Sequence, residues 1–142
     1  TKGTLDIRYE DEHFLVVNKP HSMPVHPVKQ HQSDTLANIV SYYCSQNGKP
    51  FVFRAINRLD KDTSGLVLIA KNRFTANAVK NKTHKVYYAL CEDLYGGKLD
   101  KISRQALHCA RLEFYHPIKN EYITVTAEIP EDMQSVINNK ED

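Results

Sequence analysis

A chain of 142 residues with 41% hydrophobic content has room for one globular domain, residues 1–142, with a modest core. Charged residues make up 25% and the net charge is only +2, which excludes wholesale disorder. Three cysteines, Cys44, Cys91 and Cys109, are an odd number without CxxC spacing. That argues against a disulfide framework and predicts a reducing, cytoplasmic setting.

The opening TKGTLDIRYED carries no secretory or transit signature and runs straight into a strand pattern, so the protein is expected to extend further N-terminally. TLDIRYE and HFLVVNKP predict two short strands around the acidic turn Glu10–Asp11–Glu12, the second ending at Pro20. Residues 20–33 read as a loop holding His21, His26 and His31. Asp34 or Thr35 then caps a helix in which Leu36, Ile39, Val40 and Tyr43 recur at helical spacing, and Gly48 and Pro50 end it.

LVLIA at 66–70 is a continuous apolar run, the pattern of a strand buried on both faces. It is far too short to span a membrane. A short helix follows over 73–80, then a strand over KVYYALC. RQALHCARLEFYHP alternates as a long strand, with Leu107, Cys109 and Arg111 on one face and Ala106, His108 and Ala110 on the other. EYITVTAEI is a further strand, and Pro130 with Glu131 and Asp132 opens a last short helix. Strands outnumber helices without regular alternation. The fold class is therefore α+β, a mainly antiparallel mixed sheet with a few flanking helices.

Function is carried by fewer residues. Lys71, Arg73, Lys80, Lys82, His84 and Lys85 fall in one segment without an acid, which suits an anionic partner such as nucleic acid or simply a solvated face. The five-residue spacing of His21, His26 and His31 does not gather them on one helical face, so no metal site is expected. His108 and Cys109 are strand neighbours pointing to opposite faces, which argues against a catalytic pair. No glycine-rich nucleotide loop is present.

The remaining stretch is INRLDKDTSGLVLIAK, 56–71. Asp62–Thr63–Ser64–Gly65 has the composition of a turn, with positive φ expected at Gly65. That leaves Arg58 and Asp60 unexplained. They are two apart and on the same side of an extended chain. A carboxylate at a loop mouth flanked by cations stays ionised and can act as a nucleophile.

This stretch resembles the catalytic motif of RluA-type pseudouridine synthases, in which Arg–Leu–Asp precedes D-x-T-S-G-L. HFLVVNKPHSMPVHP resembles the family's early strand with its Asn–Lys–Pro element, and HKVYYALCE its lysine–x–tyrosine–x–alanine strand. DLYGG followed by RQALHCARLEFYHP resembles its C-terminal part, so the matches cover most of the chain in family order. The resemblance implies an RNA uridine isomerase without a cofactor, with RNA (ribosomal or transfer) as partner; the histidine spacing and the short apolar run add the expectation of no metal and no membrane, and a monomer is the default expectation. Asp60 takes the place of the catalytic aspartate and Arg58 that of the arginine filling the gap left by a flipped base. Tyr87 takes the place of the tyrosine stacked on uracil, although a core aromatic at that position reads equally well from the strand alone. Lys71, Arg73 and Lys85 are phosphate-contact candidates. Lys19 reads as either structural or phosphate-facing.

Two departures stand out. Asn57 replaces a histidine common before Arg–Leu–Asp, and no Gly–Arg–Thr–His–Gln–x–Arg segment is found, although its arginine normally pairs with the catalytic aspartate. The sequence therefore predicts absent residues between about Cys91 and Leu94, with a smaller gap near Val79–Lys82. The alternative is a non-catalytic RNA-binding module of the same fold.

Overall fold

The structure, a computed structural model, describes residues 3–45, 50–89, 102, 104 and 106–138. Its centre is a pair of long apolar strands. Strand β2 (Phe14–Lys19) runs antiparallel to β4 (Ser64–Ala70), from Phe14 opposite Ala70 to Lys19 opposite Gly65. Every residue of β4 is buried, as expected of an apolar run covered on both faces. Strand β1 (Ile7–Glu10) forms a hairpin with β2. Asp11 closes it, its Oδ1 accepting from the amides of His13 and Phe14 at 2.7 and 2.8 Å.

Helix α1 (Leu36–Cys44) begins at Thr35, which resolves the choice between two caps. Thr35 Oγ1 accepts from Asn38 N while Asn38 Oδ1 accepts from Thr35 N, a reciprocal box that satisfies two amides at the helix start. Leu36 and Val40 join the same apolar cluster as Phe14–Val17 and Leu66–Ala70. Tyr43 does not follow its spacing into that cluster. It is 39% exposed and donates to Glu10 Oε1 at 2.7 Å, because its hydroxyl finds an acceptor only at the rim. Gly48, expected to help end this helix, lies outside the described residues; the helix closes at Ser45.

Strand β3 (Arg54–Ala55) pairs with the far end of β4. Helix α2 (Arg73–Val79) is capped by Asn72 and leads into β5 (Thr83–Ala89), with Lys82 N donating to Val79 O at 2.9 Å between them. The junction between Cys91 and Leu94, where the sequence predicts absent residues, lies outside the described residues. Strand β6 (Leu107–His116) is shared by three neighbours. Its first residues pair in parallel with the start of β4, Leu107 to Phe114 with β5, and its second half with β7 (Glu121–Thr126). Helix α3 (Glu131–Asn138) follows Pro130.

The sheet order β1-β2-β4-β6-β5, with β3 and β7 attached, makes this an α+β fold with a mixed, mainly antiparallel sheet. The strict alternation expected along β6 is corrected by a bulge. Tyr87 lies opposite Cys109 but Val86 opposite Arg111, so Ala110 is an extra residue and Cys109 and Arg111 point to opposite faces. Among the described residues no helix is long and apolar enough to cross a membrane, and no group of three metal-ligating side chains is gathered.

Candidate active site

The site starts where the chain leaves β3 and runs along the edge of β4. Ile56 N donates to Leu68 O at 2.8 Å. Asn57 then substitutes its side-chain amide for a strand backbone: Nδ2 donates to Leu66 O at 3.0 Å and Oδ1 accepts from Leu68 N at 2.8 Å. Both ends of a buried amide are thereby satisfied. The extended chain alternates from there, with Asn57 and Leu59 buried and Arg58 and Asp60 exposed on the same side.

A turn follows, but one step earlier than its composition suggests. Thr63 N donates to Asp60 O at 3.0 Å, so the turn is Asp60–Thr63, while Ser64 and Gly65 already belong to β4. Gly65 has the expected positive φ, 123°, for a different reason. It lies opposite Cys109 of β6, and any Cβ would overlap the Cys109 backbone. Glycine is what lets the two strands meet, and their meeting point puts the turn beside β6.

Two buried cations hold this turn from behind. Lys19, 1% exposed, donates from Nζ to Pro20 O, Met23 O and Lys61 O at 2.9, 2.8 and 3.1 Å. Burial pushes its ammonium down to about 8. The open choice for Lys19 is thus settled as structural. Arg104 donates from one NH1 to Asp62 O and Leu107 O at 3.2 and 3.1 Å, and clasps Asp132 through Nε and NH2 at 2.7 and 3.0 Å.

In front of the turn, Arg58, Leu59, Asp60, Thr63, Tyr87 and Leu107 line one cavity of about 210 Å³. Arg58, Asp60 and Tyr87 are 29 positions apart at most in sequence, and β5 pairing with β6 is what brings the ring to the carboxylate. Burial, then the neighbouring Cys109 and Asp60, push the Tyr87 phenol up, so its hydroxyl stays protonated beside the acid. Among the described residues no hydrogen bond or ion pair reaches the Asp60 carboxylate.

Lys85 is on the same face of β5 as Tyr87, two residues away. Lys71 is not brought to the cavity. It follows the opposite end of β4, about 20 Å along the strand, and pairs with Glu10 at 2.8 Å. A larger cavity, about 490 Å³, lies between Lys19, Ser64 and His108. Its buried nitrogen groups are already engaged: His108 donates from Nε2 to Ala127 O and accepts at Nδ1 from Ser64 Oγ. Burial lowers the affinity of that imidazole for a second proton. The smaller cavity is the candidate active site because the Asp60 carboxylate lines it with no partner among the described residues.

Sequence reasoning missed Arg104. Its partners Asp132 and Asp62 lie 28 and 42 positions away, beyond any periodic pattern, and the signal available was an arginine opening the family-like stretch RQALHCARLEFYHP.

Residues 13–141 match the family described as RNA pseudouridylate synthase, and the chain belongs to that family of isomerases. An uncharacterized RNA pseudouridine synthase of Bacillus subtilis, YhcT, is 26% identical over an alignment of 217 positions that takes in 94% of this chain and 72% of its own. Ribosomal large subunit pseudouridine synthase D of Zymomonas mobilis is 48% identical over 71 residues, 47% of this chain and 22% of its own. The structure of human RNA pseudouridylate synthase domain containing 4 matches with a TM-score of 0.63 across 96% of this chain and 93% of its own, at 13% identity, a likeness of fold alone. Because 217 aligned positions exceed 142 residues, at least 75 positions of the YhcT alignment face no residue of this chain.

Proposed function

We propose that the cavity in front of the Asp60 turn isomerises uridine to pseudouridine in RNA, with Asp60 as the nucleophile. The observation that carries this reading is the convergence of Arg58, Asp60 and Tyr87 on a single cavity. The carboxylate attacks the nucleoside at base or sugar, the glycosidic bond breaks, the freed uracil turns, C5 is joined to C1′, and the bond to the carboxylate is broken again so that Asp60 is regenerated. The reaction releases nothing but the C5 proton, so the walls have only to hold the base and keep water from it. Tyr87 offers its ring face to the uracil. The target base has to leave its stack, which costs a few kcal/mol, and Arg58, which lines the cavity, fills the space it vacates. Lys85, beside Tyr87, is a phosphate contact.

The substrate is proposed to be large-subunit ribosomal RNA, in a cytoplasmic, monomeric enzyme; the relative from Zymomonas mobilis carries that RNA in its name. The test is tritium release from a large-subunit ribosomal RNA transcript labelled with 5-³H-uridine. Asp60→Asn is expected to bind the RNA as the unaltered chain does and to release no tritium. Release at the unaltered rate would remove Asp60 from the chemistry.

The Asp60 carboxylate, without a hydrogen-bond or ion-pair partner among the described residues, supports a second reading, a binding module that has lost catalysis. A carboxylate without a fixed cationic neighbour is poorly oriented for attack. Such a module shifts RNA mobility in a gel and releases no tritium at any enzyme concentration.

A further inference from the structure

Arg104 is a buried guanidinium whose geometry exceeds what anchoring a helix requires. Its side chain is 1% exposed. One edge clasps the Asp132 carboxylate at the start of α3, both oxygens engaged at 2.7 and 3.0 Å. The fork geometry fixes the guanidinium plane, so the direction of the remaining N–H groups is set by where α3 sits. Asp132 is further held by the Met133 amide, which donates to its Oδ1 at 2.8 Å. The NH1 group points the other way. It donates to Leu107 O at the mouth of β6 and to Asp62 O in the turn that presents Asp60.

Among the described residues few other bonds fix the turn. Its internal bond is Thr63 N to Asp60 O, and from outside Met23 N and Lys19 Nζ reach the Lys61 carbonyl. Lys61 O and Asp62 O are successive carbonyls, and Lys19 and Arg104 each hold one of them. The Asp62–Thr63 peptide is tied within the turn through its N–H, to Asp60 O, and Arg104 ties the carbonyl of that same peptide to the C-terminal helix.

We propose that Arg104 is a positioning residue for the Asp60 turn, relaying the docking of α3 through Asp132 to the orientation of the carboxylate. The proposal rests on the reading of Asp60 as the reacting group for its kinetic consequence, but not for its structural one. Loosening the Asp132 clasp loosens the guanidinium, the Asp62–Thr63 peptide keeps its bond within the turn but loses its hold on the C-terminal helix, and Asp60 samples orientations from which it cannot attack.

The test uses the full chain with Asp132→Asn, Arg104→Lys and Glu128→Gln. Glu128 bonds Arg8 in the segment before α3 and does not reach the turn, so Glu128→Gln is the control for general loosening of the C-terminal arm. Amide hydrogen exchange is followed at Thr63 and along β2. Asp132→Asn is expected to speed exchange at Thr63 roughly tenfold while β2 is unchanged, and to lower kcat for tritium release roughly tenfold to a hundredfold at constant KM. Arg104→Lys, keeping the charge without the fork, is expected to behave alike if it folds; Asp132→Asn, a change at a partly exposed acid, decides the matter if it does not. Glu128→Gln is expected to leave Thr63 exchange as it was. Unaltered exchange at Thr63 in Asp132→Asn, or equal acceleration in Glu128→Gln, overturns the proposal. If Asp60→Asn keeps turning over, the reading of the carboxylate falls while the exchange result still judges the relay.

Discussion

Arg58 stands at the rim of the cavity with an exposed guanidinium and no hydrogen-bond or ion-pair partner among the described residues. An arginine that neither packs nor pairs contributes little to stability, so its removal should be read in function. Arg58→Ala is expected to leave the melting temperature within about 1 °C. RNA affinity should weaken modestly, by the share of one phosphate-side cation, while the single-turnover rate falls at least about tenfold, because the flipped base has nothing to replace it in the stack. Equal losses in binding and in rate would make it a phosphate contact instead. The pairing of Arg58 with Asp60 was legible because an extended chain puts residues two apart on one side, and the structure keeps that alternation through Asn57 and Leu59. The joining of Tyr87 to them was legible only through family resemblance, since nothing local says which face of β5 meets the turn. The two buried cations were not legible. Lysine and arginine are surface residues by default, and Lys19 is internal only because carbonyls from Pro20, Met23 and Lys61 converge on one point.

The β1–β2 hairpin shows how an acidic turn becomes a structural joint. Burial alone would push the Asp11 carboxyl up, but hydrogen bonds from the Tyr9 hydroxyl, the His13 amide, His116 and the Phe14 amide more than reverse this and hold it well below the usual carboxylate range. His116 Nε2 donates at 2.8 Å while its Nδ1 accepts from the amides of Ile118 and Lys119, so one carboxylate ties the hairpin to the end of β6. A depressed folded-state value means that the stability Asp11 supplies is complete above the unfolded value near 4 and is lost as pH falls toward the folded one. Asp11→Ala is expected to cost about 2–4 kcal/mol at pH 7. Urea titrations at pH 7, 4 and 2.5 should show the gap between variant and parent narrowing by about 1.4 kcal/mol per pH unit below 4. A gap that stays constant with pH would mean packing, not charge, is lost. The strands themselves were readable from β-branched runs, and β4 most clearly. What misled was composition: Asp–Thr–Ser–Gly has turn chemistry, yet the β4–β6 approach recruits Ser64 and Gly65 into the sheet. The β6 bulge left no mark on the sequence, because Ala110 is tolerated on either face.

Strand β5 sets the terms for the molecule as a whole. Among the described residues it pairs only with β6, both of its faces are open, and Val86, Tyr87 and Tyr88 are 42%, 39% and 50% exposed. A free edge with apolar side chains invites pairing with other chains, and proteins ordinarily cover it. Covering side chains of this size is worth about 1.5–3 kcal/mol each, a large part of the stability of a small domain. At least 75 positions of the YhcT alignment have no counterpart here, and the resemblance puts the arginine-bearing family segment directly after this strand. The same absence would account for an edge left open, and an Asp60 carboxylate left without a cationic partner, among the described residues. We therefore expect further in-frame codons between those for Cys91 and Leu94 in the transcript of the source cell, encoding a segment that lies over β5 and brings an arginine to Asp60. Sequencing that transcript across the junction is the first measurement. The second compares the longer protein with the 142-residue chain: the longer one is expected to remain monodisperse on a sizing column and to release tritium at least about a hundredfold faster, the worth of a lost charge-stabilising contact. Contiguous codons across the junction would mean that no residues are absent there, and a carboxylate without a cationic partner among the described residues would then belong to a module that holds RNA without changing it.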